Sequence, residues 1–140
     1  MIFFFCPLNS NWLGLKILSD HGLTFDWHTA TCGSPSTIKY IPLIASKFPD
    51  LKIVIDHIAK PFMIDFKAWA AEMSEAGKYP NVYCKLSGLN DEEKFYDVDA
   101  LRPYINHCLG KFSLKVYIIT NKTSTFLTRC LWSQKMHVWQ

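Results

Sequence analysis

The chain has 140 residues, 49% of them hydrophobic and 19% charged, with a formal net charge of +3. That balance suits a globular domain with a core of its own and excludes a disordered or collagen-like chain. It also falls well short of the roughly 250 residues of a complete (β/α)8 barrel.

The charge is unevenly spread. Residues 1–99 carry nine bases against twelve acids, a net of −3, while residues 100–140 carry six bases and no acid. A basic tail ordinarily points to nucleic acid or to a membrane surface. Here the bases stand singly among apolar residues, so neither partner is expected. The five cysteines, Cys6, Cys32, Cys84, Cys108 and Cys130, include no C-x-x-C pair. That spacing speaks against a structural zinc site and fits the reduced thiols of the cytoplasm. The apolar start, Met1 to Leu8, lacks the basic lead and the length of a signal peptide. No stretch approaches the ~20 apolar residues of a membrane span. A soluble, cytoplasmic protein is the expectation.

In chain order, Leu23–Trp27 reads as a first strand. Ser36 is placed to cap a helix whose Ile38, Ile41, Ala45 and Phe48 share one face. A connector, Phe48-Pro49-Asp50-Leu51, leads to a second strand at Ile53–Asp56, apolar at consecutive positions as in a sheet covered on both faces. Asp65 can cap a second helix with Trp69, Ala70, Met73 and Ala76 inward and Gly77 near its C-terminal cap. The connector then recurs as Tyr79-Pro80-Asn81-Val82, 31 positions on, ahead of a third strand at Val82–Leu86. A third helix runs from Asp97 or Asp99 to Gly110, with Leu101, Ile105, Cys108 and Leu109 inward and Pro103 acceptable only in its first turn. Strand–helix alternation at this period gives an α/β class.

In α/β proteins ligands gather at the carboxyl ends of parallel strands. All three predicted strands end in polar chemistry: Asp26-Trp27-His28, Asp56-His57, and Lys85 with Ser87. The His57 imidazole can move a proton, ligate a metal or donate to a carbonyl; equally, it can be a core histidine bonded to a backbone carbonyl. Asp56 either orients that ring or caps the next turn. Lys60 is either a site cation or a solvated loop lysine. Lys85, in a buried-looking strand, needs a carboxylate, a substrate anion or a water pocket, unless its amine snorkels out. Ser87 either touches ligand or caps a turn, and Asp26 and His28 are weaker candidates of the same kind. His21 and His107 read as incidental or structural. The absence of G-x-G-x-x-G and Walker patterns argues against nucleotide binding.

Three strings, Gly22–Asp26, Phe48–Pro61 with its D-H-x-x-K-P, and Tyr79–Leu89 with its N-V-x-x-K-L-S-G-L, resemble the amidohydrolase-related family, in the branch of sugar-acid lactonases and pyrone-dicarboxylate lactonase. The resemblance covers about residues 12–112 and leaves 1–11 and 113–140 as atypical segments. It implies a fragment of a (β/α)8 TIM barrel of about three βα units. It implies hydrolysis of a lactone or a similar C–O or C–N bond of a small organic or sugar acid, with a divalent metal, zinc or manganese, in some members. It makes His57 a site residue and matches Lys85 and Ser87 to the family's strand lysine and serine; with the strand-end reading, His57 and Asp56 are the catalytic candidates, His57 a possible metal ligand, and Lys85, Ser87, Lys60 and Asp26 candidate substrate contacts.

The family's opening H-x-H and closing G-S-D-W-P are not found here. The chain is therefore expected to be incomplete and inactive alone, as a truncated or mis-joined reading of a longer gene would be. The alternatives are a non-catalytic truncated product acting as a binding module, and an unrelated α/β domain.

Overall fold

The structure, a computed structural model, describes residues 12–29, 37–61, 65–89, 98–112 and 116–118. Helix α1 spans Trp12–Asp20 and strand β1 Thr24–Trp27. A 3-10 turn at Ile38–Tyr40 runs into α2, Ile41–Lys47. Strand β2 covers Lys52–Ile55, α3 Phe66–Gly77, β3 Val82–Leu86, α4 Val98–Phe112 and β4 Val116–Ile118.

The strands form one parallel sheet in the order β1-β2-β3-β4. Neighbours in sequence are neighbours in space, and a helix precedes each return, as parallel pairing requires. The order never reverses, which separates this arrangement from a doubly wound sheet and matches the strand order of a (β/α) barrel.

The two faces of the sheet differ. Phe25, Trp27, Ile53, Ile55, Val82, Cys84 and Leu86 are buried beneath the helices. On the other face Asp26, Tyr83 and Lys85 are half-buried, so β1 and β3 alternate. Only β2 has the consecutive buried run expected from its sequence, because Val54 lies between two flanking strands and is 6% exposed.

The helix faces follow their periodicity. Ile38, Ile41, Ile44 and Ala45 are buried, as are Trp69, Met73 and Ala76 and, on α4, Leu101, Ile105 and Cys108. Asp65 caps α3 by accepting from the amides of Lys67 and Ala68 at 3.0 and 3.2 Å. The proposed cap at Ser36 lies outside the described residues.

Several expectations are corrected. Gly77 is the last residue of α3 rather than a left-handed cap. A side chain there would come within 3.0 Å of the Lys111 carbonyl, so glycine serves the close approach of α3 to α4. Pro103 sits inside α4, beyond its first turn, where it withholds one N–H from the helix ladder. Neither α1 nor β4 was anticipated. The α1 stretch buries only Leu15 and leaves Leu13 and Ile17 exposed, so its pattern gives a weak signal. Strand β4 is three residues long and lies in the basic tail. No helix among the described residues is long and apolar enough to cross a membrane.

The repeated connector has a physical role. Asn81, 7% exposed, donates from Nδ2 to the carbonyls of Ala45, Phe48 and Leu51 at 3.3, 3.0 and 3.0 Å. Its own carbonyl accepts from the Ile53 amide at 2.9 Å. The side chain thereby satisfies carbonyls at the end of α2 and joins that end to β2 and β3. Asn81→Ala removes a buried donor shared by these carbonyls, of which Phe48's keeps, among the described residues, only the Leu51 amide, and is expected to cost about 2 kcal/mol. Urea unfolding should show a lowered midpoint with an unchanged slope.

Candidate active site

The strand ends are drawn together by charge. Trp27 pairs with Ile55, and Ile55 with Cys84, so Asp26, Asp56 and Lys85 project from the same face near the carboxyl edge. Lys85 Nζ lies 2.9 Å from Asp26 Oδ2 and 2.7 Å from Asp56 Oδ1. The second contact is an ion pair off the hydrogen-bond axis, so Asp56 Oδ1 is buried without an aligned donor among the described residues. Burial pulls the Lys85 pKa down, but its contacts with Asp56 and Asp26 outweigh that and hold it above the ordinary lysine value. Of the alternatives open for Lys85, the carboxylate partner is the one observed.

After β2 the backbone makes an unusual turn. His57, Ile58, Ala59 and Lys60 all have positive φ, at 54°, 47°, 59° and 46°. None is glycine, and the left-handed region costs L-residues about 1–2 kcal/mol each. The Lys60 amide closes the turn onto the His57 carbonyl at 2.9 Å. Ile58 and Ala59 are buried, and the Trp69 indole donates to the Ile58 carbonyl at 2.9 Å.

The turn lays the His57 ring against the end of β3. His57 Nδ1 is 2.8 Å from Ser87 Oγ, and the His28 ring meets it edge-on with centroids 5.6 Å apart. Gly88, at φ +59°, presses on the ring; a β-carbon there would fall 2.6 Å from Nδ1 and 2.7 Å from Cγ.

Burial lowers the His57 pKa below 6.5, against the pull of Asp56 and helped by the charges of His28, Lys60 and Lys85. The ring is therefore neutral near pH 7. With Nδ1–H donated to Ser87, Nε2 offers a lone pair to a water or a metal. With Ser87 as donor, Nε2–H can polarise a carbonyl.

The structure thus brings Asp26, His28, Asp56, His57, Lys85 and Ser87 to one edge of the sheet. Lys60 reaches the same neighbourhood through the turn and forms no ion pair with a described residue. His107 stands apart, with Nε2 2.9 Å from the Ala70 carbonyl and 3.1 Å from Ser74 Oγ between α3 and α4. No group of three or more metal-ligating side chains exists among the described residues, so they do not by themselves fit a metal centre. Sequence reasoning missed the roles of Gly88 and Trp69. The glycine after Lys85-Leu86-Ser87 was a signal for close backbone approach, whereas nothing local marked the tryptophan.

The amidohydrolase family model matches residues 5–114. The chain belongs to the amidohydrolase family. It is 39% identical over 88 residues to the L-fucono-1,5-lactonase of Burkholderia ambifaria, a match covering 61% of this chain and 29% of that protein. Among solved structures it resembles a zinc-bound amidohydrolase from Burkholderia multivorans, with a TM-score of 0.70 and 19% identity over 87% of this chain and 49% of that one. An amidohydrolase from Bifidobacterium longum subsp. infantis gives 0.61 and 21%, covering 87% and 47%. These likenesses bear on the fold. The chain spans about half of those solved chains and under a third of the lactonase.

Two tests follow from the packing and protonation of His57. Gly88→Ala should displace the imidazole from Ser87 and cost about 1–3 kcal/mol through the strained φ and the collision; a crystal structure or ring NMR shifts would show it. An imidazole whose folded pKa lies below 6.5 takes up its proton more readily once unfolded. Stability is therefore held above the ordinary value and lost as pH falls through the lowered one. His107 is lowered in the same way, chiefly by burial. Denaturation midpoints should fall below pH 6.5, with a shallower decline in His57→Gln and in His107→Gln.

Proposed function

We propose that this chain carries one sector of the active site of a lactone hydrolase built on an eight-stranded barrel, acting on a small sugar or organic acid lactone. The observation that carries the reading is His57, held neutral at a strand end against Ser87 and flanked by the Asp56–Lys85 ion pair. The similarity to a lactonase supports the substrate class. The sector is assigned to residues 12–112, within the 5–114 that the family model matches. The scattered thiols fit a cytoplasmic setting.

In this reading His57 keeps its Nδ1 proton on Ser87 and accepts a proton at Nε2 from the attacking water. The water oxygen bonds to the lactone carbonyl carbon, and the carbonyl oxygen takes up the negative charge. Collapse then breaks the ring C–O bond and returns the proton to the leaving oxygen. Lys60 is the cation left to meet a developing or substrate anion. Lys85 is already engaged by two carboxylates, so its role is to hold Asp56 beside His57 rather than to receive substrate. A divalent metal, zinc or manganese, would take His57 from the described site, which gathers no group of three such ligands, and would need others elsewhere. The non-catalytic alternative gains no support from the geometry.

Hydrolysis of L-fucono-1,5-lactone, followed with a pH indicator, tests this. Turnover is expected from an extended protein that completes the barrel around this segment and not from the 140 residues alone. In the extended protein His57→Asn should lower kcat/KM about 10²–10⁴-fold, and Lys60→Met should chiefly raise KM. Unchanged turnover in His57→Asn would remove the basis of the reading.

A further inference from the structure

We propose that Trp69, a buried residue of α3 outside the polar edge of the sheet, is a positioning residue that sets the orientation of the His57 imidazole. The functional half of this claim rests on reading His57 as a reacting group; the positional half does not.

Four consecutive non-glycine residues with positive φ do not hold that conformation unaided. The turn is part of a one-turn 3-10 segment, Asp56–Ala59, and the Lys60 amide closes it onto the His57 carbonyl at 2.9 Å. From outside, the Trp69 indole N–H reaches the Ile58 carbonyl at 2.9 Å. That donor is itself rigidly placed. Trp69 is fully buried, and its ring meets Tyr104 and His107 with centroids 5.1 and 5.4 Å away. Its helix is anchored one turn earlier by the two Asp65 cap bonds. On the opposite flank Gly88 bears on the imidazole. The turn is thus gripped between an indole behind it and a glycine backbone before it, and a rotation of the Ile58 peptide would carry the His57 ring away from Ser87.

A plain core tryptophan with a satisfied N–H would fill the same space without setting the ring. NMR on the full 140-residue chain separates the two. In Trp69→Phe, which keeps an aromatic ring and removes the donor, the positive-φ couplings of residues 57–60 should be lost and the His57 ring shifts should change. Met73→Ala, on the same helix and equally buried, should lower stability while leaving those signals in place. Ala59→Gly, which relieves the penalty at φ 59°, should restore them in the Trp69→Phe background.

Retention of the turn in Trp69→Phe, or its loss in both Trp69→Phe and Met73→Ala, overturns the proposal. Should Trp69→Phe not fold, the unsubstituted chain decides. An indole proton that exchanges as fast as free tryptophan contradicts the bond, and one protected to the level of the α3 amides supports it. In a turnover-competent protein Trp69→Phe should lower kcat at least tenfold with KM little changed. A displaced ring with unaltered kcat would count against His57 as the reacting group and leave the positioning intact.

Discussion

The Lys85 ammonium joins the carboxyl ends of three strands, and the register of the sheet depends on where it sits. Its side chain is 19% exposed and faces Asp56, 12% exposed, with Asp26 on the far side. An ammonium this enclosed needs counter-charge, and removing one partner leaves the others uncompensated. A slip of β3 by one residue would turn Lys85 under the helices and bring Cys84 to the polar face. Such a slip would place a charge in the apolar layer now filled by Trp69, Met73 and Cys108. The charged residues therefore make the alternative registers expensive.

That constraint explains why the sheet has two unlike faces. The helix side is dry and built from branched and aromatic side chains, with the Asn81 amide tying the connector carbonyls at its lower edge. The opposite side carries Asp26 and Lys85, the polar strand residues of the proposed site. The left-handed turn lies on the boundary: Ile58 and Ala59 point into the dry layer while His57 faces the polar edge. Site and core are thus consecutive residues of one segment, so substitutions behind the sheet can reach the chemistry through the backbone.

Much of this was legible in the residues. The repeat of aromatic-Pro-Asp/Asn fixed the βα period, and the apolar spacing of Trp69, Met73 and Ala76 located a helix face that the structure retains. The clustering of Asp26, Asp56, His57, Lys85 and Ser87 was readable because strand ends in α/β folds converge. What stayed hidden was non-local. Whether Lys85 met a carboxylate or a substrate depended on the pairing of β1 with β2 and of β2 with β3, which no single strand encodes. The turn at 57–60 was invisible because propensity puts glycine or asparagine at positive φ, and Ile58 and Ala59 violate that preference. Gly77 was misread for the complementary reason: its spacing matched a cap, while its purpose lay in the backbone of α4, some thirty residues away.

The choice of Ile58 at a left-handed position can be weighed. Burying an isoleucine side chain contributes about 1.5–3 kcal/mol, and the conformation costs about 1–2 kcal/mol. The two nearly offset at that residue, whereas Ala59 and Lys60 bear the same cost with less apolar surface to bury. The bonds within the segment, the closing Lys60–His57 bond among them, are joined from its surroundings by the indole of Trp69, and together they tip the balance. A glycine-rich turn would reach the same shape without that help, but it would leave the dry layer unfilled beneath His57. The imidazole keeps a fixed heading because its neighbours in sequence are held by the core, so the rigidity of the site is inherited from packing on the far side of the sheet.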